Sequence, residues 1–389
     1  MLKNQKHLFT LEEGVTYLNC AYMSPLLKSV EEAGVQGIIR KRSPFSIQVE
    51  DFFEPVQKLR EVFSQLIQNP DPNRIALIPA ASYGLSTVAA NLKLNAGDNI
   101  IVVHEQFPSN IYPWENVVRE SGAELRTISP PESIFPKGET WNEKILEGID
   151  ERTRMVAIAH FHWADGTRFD LKEIRRRTRE VGALMVVDGT QSVGAYPFSV
   201  QEYEPDALIC AGYKWLMGPY SLGLAYFGPY FDDKKPLEEN WINRLGSEDF
   251  SQLVNYESRY QPLAGRFNVG EQSNFILVPM LTRAIEQILE WGVENIQEYC
   301  GHLIEKPIKT WTEWGCEIEA REWRGNHLLG VRLPGRIDIK QLKRALDEAN
   351  ISVSVRGTAV RISPHLYNDS SDFVKTLSVF QGFFDKIAN

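Results

Sequence analysis

Leu184-Met185-Val186-Val187-Asp188-Gly189-Thr190-Gln191, and further along Ala207-Leu208-Ile209-Cys210-Ala211-Gly212-Tyr213-Lys214-Trp215-Leu216-Met217-Gly218-Pro219, are the two stretches that decide the fold. The first runs apolar from Ala183 to Val187 and stops at a carboxylate; the second runs apolar to Ala211 and then presents a lysine. Short continuous apolar runs of this kind suit strands buried on both faces, as in a parallel sheet. Working outward, similar runs at 74–79, 99–104, 155–160, 184–188, 207–211 and 223–227 alternate with helical patterns. That alternation predicts an α/β architecture, a mostly parallel sheet with helices on both sides. One of those helices opens at Asp170 as N-cap and closes at Gly182; another is expected from 83 to about 92.

Beyond residue 270 the rhythm changes. A long helical pattern starts near 275 and runs past 296, followed by a strand at 327–333, a helix at 337–350, strands at 351–356 and 360–364, and a helix at 371–387. The expected organisation is a large α/β domain over 21–274 and a smaller α+β C-terminal domain made of 1–20 and 275–389, with the long helix as connector. The proline-rich stretch 130–138 reads as a surface excursion.

Composition narrows the class. A chain of 389 residues with 43% hydrophobic and 24% charged content buries a large core. The formal charge of −9, from 42 basic and 51 acidic residues, offers no basic footprint for nucleic acid. The run Arg175-Arg176-Arg177 reads as the solvated face of an amphipathic helix. Cys20, Cys210, Cys300 and Cys316 are scattered without Cys-x-x-Cys spacing, so neither a metal site nor a disulfide framework is expected. With no signal-peptide core near Met1 and no apolar window of membrane-spanning length, the expected location is cytoplasmic, away from the membrane.

The chemistry follows from Asp188 and Lys214. A carboxylate at a buried strand end is costly unless a cation faces it. The pyridinium nitrogen of pyridoxal phosphate is such a cation, and holding it protonated keeps the ring able to accept electrons. An amine that spends time neutral, as partial burial and a nearby cation promote, is what a Schiff base with the cofactor aldehyde requires. The turn Pro79-Ala80-Ala81-Ser82-Tyr83-Gly84 between a strand and a helix offers free backbone N–H groups to a phosphate.

The order Asp-Gly-Thr-Gln at 188–191, Tyr-Lys-Trp at 213–215, Gly218-Pro219 and then Gly223-Leu224-Ala225-Tyr226 resembles the class V aminotransferases. This is the fold-type I group of pyridoxal-phosphate (PLP) enzymes that includes cysteine desulfurases, selenocysteine lyases, kynureninases and isopenicillin N epimerase, and the resemblance runs through nearly the whole chain. It implies a PLP-dependent transferase fold with a seven-stranded type of sheet. It also implies an internal aldimine on Lys214, cofactor phosphate contacts from Ser82, Tyr83, Gly84 and Tyr213, a ring stacked on Phe107, and a hydrogen bond from Gln191 to the cofactor's phenolic oxygen. Arg361, in the Arg-x-Ser pattern of Arg361-Ile362-Ser363, would grip the substrate carboxylate; Arg356 is the weaker candidate, with a surface salt bridge as its ordinary role. Either His162 or Trp163 faces the substrate, in a segment where the family often carries asparagine near Trp163. In dimeric relatives the segment at 270–274 reaches the partner's cofactor, usually through a threonine that is absent here; Gln272 or Ser273 takes its place in the expected homodimer.

The reaction stays open at this level. Transamination of a small amino acid ranks first, with a lyase or epimerase second. Desulfurase activity ranks lower because the loop 351–358 lacks the nucleophilic cysteine that those enzymes carry before the arginine. A nicotinamide-type oxidoreductase would need Gly-x-Gly-x-x-Gly after an early strand, which residues 80–84 do not supply. A scaffold protein without activity would have no reason to keep the lysine, the aspartate and the arginine together.

Overall fold

The computed structural model describes residues 2–132 and 134–388, with the side chains of 386–388 left aside. Its centre is a seven-stranded sheet of β1 (Ile75–Ile78), β2 (Asn99–Val103), β3 (Glu124–Ile128), β4 (Thr153–Ala159), β5 (Leu184–Asp188), β6 (Ala207–Ala211) and β7 (Gly223–Phe227). The strand order is β1-β7-β6-β5-β4-β2-β3, parallel from β3 to β6, with β7 antiparallel to both of its neighbours. Six of the seven strands lie at the expected apolar runs. The seventh, β3, is an edge strand whose Glu124 and Arg126 leave it without an apolar run.

Both faces of the sheet are covered, which is why its strands read as unbroken apolar runs. Along β5, Met185 and Val187 enter one core cluster while Val186 enters the other. Each such fully buried aliphatic side chain contributes roughly 1.5–3 kcal/mol relative to exposure. The helix Leu171–Val181 forms between the expected caps: Asp170 accepts from Lys172 N and Glu173 N, and Gly182 closes it in the left-handed conformation at φ 71°. The arginine run on that helix is not uniformly solvated. Arg175 turns inward to Asp206 at 2.8 Å, and Asp206 also accepts from Met185 N, tying the helix to β5.

The second unit is a three-stranded antiparallel sheet of β8 (Leu329–Arg332), β9 (Ser354–Arg356) and β10 (Ala359–Ile362), with β10 central. The helices Ile339–Glu348 and Ser370–Ala388 cover it, and Val331, Leu342, Val360, Ile362 and Phe380 share its core. The N-terminal segment joins this unit through Thr16–Tyr17, parallel to Ile351–Ser352. The long helix expected from 275 onward is two helices, Leu277–Trp291 and Val293–Glu313, because Gly292 at φ 76° takes a conformation that interrupts the helical path. The first of them, grouped from sequence with the smaller domain, buries Val278, Leu281, Ile285 and Ile288 in the core that also covers the large sheet.

The excursion at 130–138 ends inside the molecule. Lys137 is buried and ion-paired to Asp165, and Gly138 starts the helix Gly138–Gly148 against Trp323; Ser133 lies outside the described residues.

Candidate active site

The carboxyl ends of β5 and β6 converge on one cavity of ≈ 290 Å³. Such crevices at strand ends are where open α/β sheets bind ligands. Asp188, the last residue of β5, is buried, and one of its oxygens accepts Thr190 N at 3.0 Å. Burial pushes its carboxyl above the usual range, against the pull of Thr190 and Lys214. Thr190 in turn accepts Ala211 N at 3.1 Å, so the loop after β5 is clamped to the end of β6.

Lys214 stands three residues past β6 in a turn closed by Met217 N donating to Lys214 O. Its amine is buried among aromatics, 5.5 Å from the Phe107 ring centre and 5.7 Å from that of Tyr213. Burial, with Arg361 and Arg356 adding to it, lowers its pKa to about 8, although Asp188 pulls the other way. The amine is thus tuned toward the neutral, nucleophilic form.

At the other end of the cavity lies the N-terminus of the helix Ala81–Ala90. Ala80 is its N-cap and has no side-chain capping bond; Tyr83 N donates to Ala80 O at 3.0 Å, which leaves the N–H groups of Ala81 and Ser82 for an anion, and Ala80, Ala81 and Ser82 line the cavity. The three residues expected at the phosphate turn differ in their setting. Tyr83 and Gly84 do not line this cavity. Gly84 is packed so closely on Ile209 and Ile78 that a Cβ would come within 2.8 Å of Ile209, so its work is helix-on-sheet packing. The Tyr83 hydroxyl is buried without a hydrogen-bond partner, and burial pushes it up to about 12. Only Ser82 of that trio faces the site.

Gln191 lines the cavity with its amide held at both ends: Trp215 Nε1 donates to Oε1 at 2.8 Å, and Nε2 donates to Ala21 O at 3.1 Å. One amide hydrogen remains for a ligand. Phe107 and Tyr213 both line the same space, with Phe107 edge-on to Trp163 at 5.5 Å. His162 and Trp163 both line the cavity, in different settings. His162 is buried, with Nε2 3.1 Å from His104 O and Nδ1 3.3 Å from Asp165, so it braces the loop from below. Trp163 donates to Glu105 O and its ring faces outward to Phe107 and Arg356.

Arg361 on β10 is 1% exposed and reaches from the small sheet to the large unit, where Nη1 donates to Trp163 O at 2.7 Å. Nη2 lies 3.4 Å from Ser354 Oγ, and Nε is buried without a partner. Burial, reinforced by Arg356, lowers its pKa to about 9. Ser273 is buried but does not line the Lys214 cavity of its own chain, and Gln272 lines a different cavity beside Arg60. Tyr220 and Ser221 complete the wall beside Lys214, and Tyr22 and Met23 border the outer space; spacing in the sequence carried no signal for these.

The sequence is matched over residues 41–374 by a family model described as aminotransferase class-V. The chain belongs to that family. Among relatives, the "uncharacterized aminotransferase YcbU" of Bacillus subtilis is 23% identical over 83% of this chain and 82% of its own length. A cysteine desulfurase of Shigella sonnei is 28% identical over 63% of this chain and 59% of its own. The same fold appears in the apo cysteine desulfurase of Thermococcus onnurineus, at TM-score 0.84 and 20% identity over 99% of each chain. It appears also in the cystine C–S lyase C-DES, at TM-score 0.85 and 20% identity over 95% of this chain and 98% of that one. Another C-DES structure carries glycine covalently linked to its PLP cofactor. Within the class V fold, the site of this chain thus combines a buried lysine, a buried aspartate and an uncapped helix N-terminus.

Proposed function

We propose that this class V protein is a PLP-dependent enzyme acting at the α-carbon of a small amino acid, with transamination as the first reading. The observation that carries it is one cavity holding three complementary groups: a lysine tuned toward neutrality, a carboxylate lacking a cation partner, and a bare helix N-terminus. These suit the aldehyde, the ring nitrogen and the phosphate of PLP respectively. Bound there, PLP supplies an electron sink for the pair left when a bond to the substrate α-carbon breaks.

The chain's own residues do the rest. Lys214 would hold the cofactor aldehyde and, with substrate bound, would move the proton at the α-carbon. Asp188 would hold a proton on the ring nitrogen, Gln191 would offer its remaining amide hydrogen to the phenolic oxygen, and Phe107 would cover the ring. Arg361 binds the α-carboxylate through its guanidinium. A C–S lyase is the second reading, favoured by the fold shared with C-DES. A persulfide route is disfavoured because none of the four buried cysteines lines the cavity.

The test is spectroscopic. Added PLP should give a visible band, borohydride should fix the cofactor to Lys214 as found by peptide mass spectrometry, and an amino-acid panel should identify the product. Absence of a lysine-bound cofactor would overturn the reading. The pH dependence is specific: below about 8 most of the amine is protonated, so capture of PLP by the apoprotein should accelerate with pH and level off above about 8. Acceleration persisting to the ordinary lysine range would contradict the placement of Lys214.

Arg361→Ala should weaken binding of an amino-acid substrate by about 1.5–3 kcal/mol, a charge-assisted contact, while the visible band is kept. Equal affinity in that variant would move the carboxylate site elsewhere. The enzyme is further proposed to be a cytoplasmic homodimer. Phe45, Val254 and Tyr256, respectively 85%, 79% and 99% exposed, are apolar surface of the kind a second copy covers, with Gln272 or Ser273 serving the partner's cofactor. Sedimentation analysis showing a monomer at working concentration would remove that part.

A further inference from the structure

The small sheet brings a second guanidinium to the mouth of the site. Ser354 pairs directly with Arg361 across the β9–β10 hairpin, and residues two apart on a strand share a face, so Ser354, Arg356 and Arg361 all project from the same side. The hairpin turns on Gly357-Thr358 alone, with Gly357 at φ 55°, so Arg356 has no long loop to carry it away. Diagonal neighbours of this kind have stems roughly 7–8 Å apart.

Arg356 is not engaged in the surface salt bridge expected of it. Its Nη1 donates only to Val355 O, its Nε is buried without a partner, and its guanidinium lies 5.3 Å from the Trp163 ring centre. Stacking on an aromatic face fixes the plane of a guanidinium and leaves its edge free to bind. The outer cavity of ≈ 440 Å³ is lined by Lys214, Arg356 and Arg361 together with aromatic side chains, and among the described residues no aspartate or glutamate lines it. Two partly desolvated guanidiniums with no carboxylate of the chain beside them form a site for two negative groups.

We propose that the substrate is an amino acid whose side chain ends in an oxyanion, a carboxylate or sulfinate, held by Arg356 against Trp163. This rests on the reading above, in which Arg361 takes the α-carboxylate. Trp163 thereby acts as a specificity residue, setting the plane of the arginine that measures the far end of the side chain.

The experiment uses the PLP-loaded enzyme and unreactive acids of matched length. Dissociation constants are measured by calorimetry for succinate and glutarate against butyrate and valerate. The diacids are expected to bind at least about tenfold tighter, the scale of one charge-assisted contact. Arg356→Gln should bring the diacid to monoacid ratio close to one, Arg356→Lys should restore part of it, and Arg361→Gln should weaken both classes. Turnover of aspartate, glutamate and cysteine sulfinate against alanine and glutamine then distinguishes the two oxyanions. A ratio near one in the unmodified enzyme, or a ratio unchanged by Arg356→Gln, overturns the proposal. Failure of the underlying PLP reading shows separately, as missing lysine-bound cofactor in the spectrum before any acid is added.

Discussion

Lys214→Ala is expected to abolish covalent retention of PLP and to lower turnover by at least about 10³-fold, because one side chain supplies both the anchor and the proton carrier at the α-carbon. The fold should survive. The Lys214 amine sits against the Phe107 and Tyr213 rings, and its lowered pKa means that its protonated form is disfavoured in the folded state. At neutral pH, below the folded pKa of about 8, that charge opposes folding, so removing it leaves the apoprotein as stable as before or more so. Thermal melts of the apoprotein and borohydride trapping check the two halves independently. Turnover within tenfold of the unmodified enzyme would exclude Lys214 as the reacting amine.

Asp188→Asn is expected to have the next largest effect, a loss of about 10²-fold or more in turnover, the scale of breaking a buried charge pair by removing one partner. The amide keeps an oxygen to accept Thr190 N, so the loop after β5 retains its clamp. Stability should move the opposite way. The folded-state pKa of Asp188 is raised by burial, so the ionised form opposes folding of the apoprotein, increasingly as pH rises above the unfolded carboxylate range. Asparagine removes that opposition. A variant that melts higher as apoprotein and works far more slowly is the signature of a carboxylate kept for chemistry; unchanged rates would end the argument that Asp188 holds the ring proton.

Much of the architecture was legible because the forces behind it are local. Strands β5, β6 and β7 begin and end where their apolar runs do, and Asp170 and Gly182 bound their helix as cap chemistry requires. Two misreadings have equally local causes. β3 carries charge because it lies at the sheet edge, and the long helix breaks at Gly292, whose positive φ interrupts the helical path. Of the residues expected at the phosphate turn, Ser82 lines the cavity, and Ala80 and Ala81 line it beside Ser82. The helix begins at Ala81, so its bare N–H groups belong to the first turn, and Gly84 has already entered the packed interior.

The sequence by itself determined the parallel sheet, the strand-end position of Asp188 and the lysine just beyond the neighbouring strand, since burial on both faces and turn chemistry act over a few residues. Only the tertiary structure decided that Trp163 and Arg361, from opposite halves of the chain, hold one another at 2.7 Å. It alone placed buried His162 in the cavity wall beside Asp165, left Ser273 outside its own chain's cavity, and set Arg356 beside Trp163 without an acid. Those outcomes depend on how a small antiparallel sheet packs against a large parallel one, and side chains meeting across such an interface leave no periodicity or spacing in either segment.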